Sequence, residues 1–144
     1  MDLGAHVGQN WFKKTDWFPP LALRTSLGVV FLLFGIDQFE NPDRWTSWVP
    51  GWLGKRVGTD TIVLATAIFH TVTAWLLIAG LLSRLAALAI VAFLAAVLIS
   101  IGVDDTTTRD IGLLGEGIAL VVIGGGRLSL DSLLLYRRKG LPVV

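Results

Sequence analysis

The stretch RDIGLLGEGIALVVIGGGRLSLD, Arg109 to Asp131, is apolar enough to lie in a bilayer and yet carries an acid, Glu116, within it. Arg109 and Asp110 precede its apolar run, and Arg127 and Asp131 follow. A charged side chain at bilayer depth is costly, so Glu116 marks either a functional site or a group paired with a neighbouring segment. The neighbours must come from elsewhere in the chain.

Composition says what kind of chain surrounds it. Of 144 residues, 53% are hydrophobic and 16% charged, with a mean hydropathy of +0.69. A soluble domain carries roughly 45–50% apolar residues and about a quarter charged ones. The excess falls into four blocks. This predicts an all-α polytopic membrane protein, a four-transmembrane-helix antiparallel bundle with short interfacial helices in the first outer loop and at the C-terminus. The net charge of +1, with no long basic run, argues against a nucleic-acid partner. Cysteine is absent, which removes disulfides, thiol redox chemistry and cysteine-held zinc or iron–sulfur clusters. The only imidazoles are His6 and His70, so the spans hold no histidine pair for a haem, and no metal site is expected.

Span one is predicted over Leu21–Phe39, opened by Pro19-Pro20 and stopped by Asn41-Pro42. About 19 residues at 1.5 Å each give nearly 29 Å, close to a hydrocarbon core of about 30 Å. Span two is expected over Thr61–Leu82 with Asp60 as N-cap. A turn at Ser83-Arg84 makes it an antiparallel neighbour of span three, Leu85–Val103, an alanine-rich packing helix. Span four is expected from Ile111 to Gly126, with Gly112, Gly115 and Ala119 as a small-residue stripe for close helix contact.

These spans form a transmembrane domain over 21–126. The N-terminal segment 1–20, with Lys13, Lys14, Trp11 and Trp17, suits a membrane surface. The tail 127–144, with Ser129 capping a short helix that ends in Arg137, Arg138 and Lys139, suits an anionic leaflet. In the loop to Asp60, Trp45, Trp48 and Trp52 are either an interface-lying segment or a cover packed over the mouth of the bundle. Seven lysines and arginines (Lys13, Lys14, Arg84, Arg127, Arg137, Arg138, Lys139) against four (Arg44, Lys55, Arg56, Arg109) place both termini in the cytoplasm.

Four ionisable side chains fall within the spans: Arg24, Asp37, His70 and Glu116. Counting rise per residue puts Asp37 roughly 3–6 Å below the outer boundary, Glu116 about 8 Å and His70 about 13 Å, and so expects a polar cluster in the outer half. Thr66, His70 and Thr73 form a polar stripe that must face protein or water. Arg24, Gly28 and Gly35 share one face of span one, with Asp37 roughly opposite. The expected pair is Glu116–His70, Asp37 is a mouth residue, and Arg24 is expected to snorkel to the inner headgroups. Each also has a plain structural reading: His70 and Glu116 can simply hydrogen-bond neighbouring helices.

RTSLGVVFLLFGIDQFENP in span one, WLLIAGLLSRLAAL across the second turn and RDIGLLGEGIALVVIGGGRLSLD resemble, in order and spacing, the hallmarks of DoxX-like proteins. That group is related to the DoxD subunit of thiosulfate:quinone oxidoreductase. The resemblance implies a four-helix membrane bundle. Members often carry an acid midway along span two, and here His70 takes that place. It also implies membership, in some relatives, of assemblies that pass electrons to quinone.

The leading expectation is therefore a membrane subunit of a quinone-linked oxidoreductase. His70 and Glu116 would be catalytic, and these two with Asp37 and Trp75 would bind a quinone. Arg24, Gly28, Gly35, Gly112 and Gly115 would be structural. Partners would be the lipid bilayer, other membrane or peripheral subunits, or further copies of the chain. The rivals are a non-enzymatic anchor or assembly subunit and a small proton-coupled carrier.

Overall fold

A computed structural model describes residues 16–102 and 105–139, and all regular structure among the described residues is helical. Helix α1 spans Phe18–Glu40, followed by a 3-10 helix at Pro42–Trp48 and the short α2 at Gly51–Val57. Then come α3 at Thr59–Ala79, α4 at Ser83–Ile101, α5 at Asp105–Ile123 and α6 at Leu130–Lys139. The expected interfacial segment falls mostly in residues 1–15, outside the described part.

Helices α1, α3 and α4 are long and apolar enough to cross a membrane. Their outer faces are apolar: Leu64, Ile68, Val72 and Trp75 run exposed along one side of α3, at the i, i+4, i+8, i+11 spacing of a helical stripe. Inside, Leu27, Phe31, Ala74, Leu77, Ala87, Ile90 and Leu120 are fully buried and join α1, α3, α4 and α5 in one core.

The closest pair is α1 with α3. A Cβ on Gly28 would lie 3.2 Å from the Ala74 carbonyl oxygen, and one on Gly35 would lie 3.1 Å from the Thr71 nitrogen and 3.2 Å from the Ala67 carbonyl oxygen. The two backbones touch because these positions lack side chains, which lets dispersion act where lipid gives no hydrophobic drive. Helix α5 does not use the expected stripe. A Cβ on Gly112 or Gly115 would meet nothing within 4 Å, and the close approach to α4 is at Gly117, where a Cβ would lie 2.8 Å from Val91 Cγ2. The expectation that Gly112 and Gly115 make helix contacts within the chain is thus corrected. A 3.6 period turns positions 112 and 115 away from the face that carries Leu113, Gly117 and Leu120.

Several boundaries move. Gly58 rather than Asp60 precedes α3, and Asp60 lies in the first turn, where an acid suits the positive end of the helix. Helix α3 ends earlier than expected, in a Schellman turn: Gly80 has φ of 70°, Leu81 N–H donates to the Leu76 carbonyl at 2.9 Å, and Gly80 N–H donates to the Leu77 carbonyl at 3.0 Å. Helix α5 starts at Asp105, six residues before Ile111, so Glu116 lies that much further into the helix than expected.

Opposite the loop end, the chain is tied shut. Arg24 is 3% exposed and its Nη2 donates to the Leu128 carbonyl at 2.7 Å. It does not snorkel, because Gly80 leaves room for it: a Cβ there would collide with the guanidinium. Asp131 accepts from the N–H of Leu82 at 2.8 Å and of Ser83 at 3.0 Å, while its own N–H donates to the Gly80 carbonyl at 3.0 Å. Leu82, with φ of 50°, is held in that uncommon conformation by this carboxylate. Ser129 caps α6 as expected, accepting from Ser132 N–H at 3.2 Å.

Candidate functional site

At the loop end the helices splay around a cavity of about 650 Å³. Its walls come from Phe31 and Phe34 of α1, Val63, Thr66 and His70 of α3, and Phe93, Leu94 and Val97 of α4. Arg109 and Asp110 of α5 reach its edge, and Trp45, Trp48 and Leu53 of the loop cover it. For Trp45 and Trp48 the packed-cover reading of the loop is therefore the one observed, whereas Trp52 is 62% exposed. The size is that of a pocket for a small organic ligand, typically about 300–1,000 Å³.

The cover is fastened by Asp37. Trp45 Nε1 donates to Oδ2 at 2.8 Å, and Asn41 Nδ2 donates to Oδ1 at 2.9 Å. Arg44 Nη1 lies 3.2 Å from the same Oδ1. The mouth position expected for Asp37 is observed, and all three of its partners come from the segment that follows it. Arg109 stacks its guanidinium on Phe34, 5.0 Å from the ring centroid, at the same mouth.

Deeper, His70 is 2% exposed and ringed by aromatic groups: Phe93 at 4.9 Å, Phe31 at 5.1 Å, Phe69 at 5.7 Å and Phe34 at 6.0 Å between centroids. Its Nδ1 lies 2.8 Å from Gln38 Oε1, and Gln38 Nε2 donates to Thr66 Oγ1 at 3.1 Å. His70 Nε2 is buried with no partner. A buried polar atom without a partner costs on the order of 1–3 kcal/mol, and such atoms recur where a ligand belongs.

The expected His70–Glu116 pair is not formed. Glu116 accepts a hydrogen bond from Ser26 on α1 and takes no part in the cavity wall. The longer α5 is the reason, since it carries Glu116 past the cavity toward the middle of α1. Trp75 is also away from the site, 58% exposed on the outer stripe of α3. Of the residues expected at the site, the structure brings His70 and Asp37 to the cavity and leaves Glu116 and Trp75 outside it.

Gln38 was not singled out from the sequence, because a search for ionisable groups passes over an amide. A signal was present: Arg24, Phe31 and Gln38 recur every seventh residue on one helix face, and all three are buried. Among the described residues no group of three His, Cys, Asp or Glu side chains is placed to hold a metal ion.

A family model, DoxX, matches residues 20–102. The chain belongs to the DoxX family. As a DoxX protein with three such apolar helices, it is a membrane protein in contact with lipid. The matched region holds Asp37, Gln38, His70 and Phe93, and ends before Arg109 and Glu116. Searches of curated proteins and of solved structures find no match.

Proposed function

We propose that this DoxX protein is the ring-binding membrane subunit of a quinone-linked oxidoreductase, and that the loop-end cavity takes the head group. The single observation that carries this reading is His70, a residue of the wall of an aromatic-lined cavity of head-group size, whose Nε2 is buried without a partner. The residues fit such a group. Phe31, Phe34 and Phe93 offer ring faces, Gln38 fixes the imidazole, and the cover held by Asp37 lies over the site. A quinone supplies a two-electron, two-proton couple dissolved in the membrane. His70 offers Nε2 for a hydrogen bond with the ligand's oxygen, and Trp45 and Trp48 close over it. Electrons come from a partner, because the sequence contains neither cysteine nor a dinucleotide-binding fingerprint.

In this reading α5 is a fourth span, the helices form one antiparallel bundle in the cell membrane, and both termini face the cytoplasm. The outward Gly112 and Gly115, with Glu116 beside them, favour a second role as a docking face for the partner, close to the anchor reading. The test uses the full chain in nanodiscs. A quinone is expected to quench the fluorescence of the cover tryptophans, and Val97→Phe, which fills the cavity, is expected to abolish that quenching while the helices stay folded by circular dichroism. Saturable quenching that survives Val97→Phe would sink the proposal. Mass spectrometry of protein isolated in mild detergent would identify bound quinone and the partner polypeptide.

A further inference from the structure

From the hydrogen-bond chain at His70 we infer that the cavity prefers a hydroxyl-bearing ring, a hydroquinone, over the corresponding carbonyl form. The inference rests on the reading of the cavity as a ring site and adds which redox form it holds. Thr66 has one hydroxyl hydrogen, and we place it on its own helix, where the Val63 and Ile62 carbonyl oxygens lie at 2.9 and 3.0 Å. Toward Gln38 the hydroxyl can then only accept, so the amide nitrogen of Gln38 faces Thr66 and its Oε1 faces His70. A carbonyl oxygen cannot donate, so the hydrogen of the 2.8 Å contact belongs to His70 Nδ1. In the neutral imidazole Nε2 is then a bare lone pair, and it is the atom left without a partner.

A lone pair takes a donor. A hydroquinone O–H satisfies it, whereas a quinone carbonyl would set acceptor against acceptor. The groups of the relay and the acids of the wall do not reverse this, since Asp110 is an acceptor paired with Arg109. Gln38 and Thr66 are engaged with each other, and both carboxylate oxygens of Asp37 are taken by the cover. Arg44 and Arg109, with side chains 71% and 55% exposed, sit at the mouth. The preference is therefore set by a neutral relay from Thr66 through Gln38 to His70, and not by the charged side chains at the mouth.

The experiment uses the full-length protein in nanodiscs, with 15N-labelled histidine and His6→Gln so that His70 is the single imidazole. The probes are tetramethylhydroquinone, tetramethylbenzoquinone and the hydroquinone's dimethyl ether, which share one ring. In the free protein the nitrogen shifts are expected to show the Nδ1–H tautomer. The hydroquinone should move the Nε2 resonance and bind about tenfold more tightly than the quinone or the ether, the worth of one buried hydrogen bond. Thr66→Val, which removes the acceptor that orients Gln38 at nearly constant volume, should let both tautomers appear and shrink the preference. An Nε2–H tautomer in the free protein, or equal binding of hydroquinone and quinone, overturns the inference and leaves the ring site standing. Binding of none of the three probes overturns both.

Discussion

His70 and Gln38 show how one neutral residue decides what a buried histidine can do. Without Gln38 the imidazole would have two unanswered nitrogens, and nothing would fix its tautomer. Gln38→Leu is expected to destabilise the protein by about 1–3 kcal/mol, because it leaves Nδ1 buried without an acceptor. It should be read as a fall in the thermal midpoint in detergent. An unchanged midpoint would mean that Nδ1 finds another partner. His70→Phe removes both imidazole nitrogens but leaves Gln38 Oε1 buried without its donor, so its stability loss should be of similar size. At this scale the sequence was partly legible. It marked His70 and Asp37 as polar groups in or near a span, because an ionisable residue among apolar ones stands out. It could not show Gln38 as the histidine's partner or Ser26 as the partner of Glu116, since both are uncharged and the second pairing also depends on how α5 sits against α1.

At the level of helices the glycines make separable predictions. Gly35→Ala should improve helix propensity, worth roughly 0.5–1 kcal/mol on its own. Its Cβ would nevertheless press on backbone atoms of α3 as well as on Thr71 Oγ1, so the net result is expected to be a loss of about 1–3 kcal/mol as the α1–α3 seam is forced apart. Gly115→Ala meets nothing and should keep the propensity gain in the isolated protein. If a partner seats against that face, the same change should weaken co-purification while leaving the thermal midpoint unchanged or higher. Thermal unfolding together with pull-down from native membranes reads both effects. Helix existence was plain from hydropathy, and the phase of Arg24, Gly28 and Gly35 put them on one face of α1, which the structure buries, Arg24 included. The face of α5 was misjudged, because a run containing Gly112, Gly115, Gly117 and Ala119 offers small residues on more than one side. Only the position of the neighbours decides which side is used.

Across the whole molecule, the cavity lies at one end and a hydrogen-bonded closure at the other. Arg24 ties α1 to the turn before α6, and Asp131 at the start of α6 caps the strained entry to α4, so a few residues of the tail hold three helices in register. The sequence showed each charge but not the knot, because its members are separated by as many as 104 positions and meet through backbone atoms. Asp131→Ala removes two acceptor contacts and the charge near Arg24, and is expected to lower stability by about 1–3 kcal/mol. Arg24→Met keeps much of the packing volume but leaves the Leu128 carbonyl unanswered, with an expected loss of similar size. Because both changes release the same turn, the double variant should lose less than the sum of the singles, with a coupling of about 0.5–3 kcal/mol in a double-mutant cycle. Strict additivity would show the two residues acting independently. If closure does govern the splay of the helices, ring-probe affinity at the far cavity should weaken in the same order as stability, although neither residue touches it.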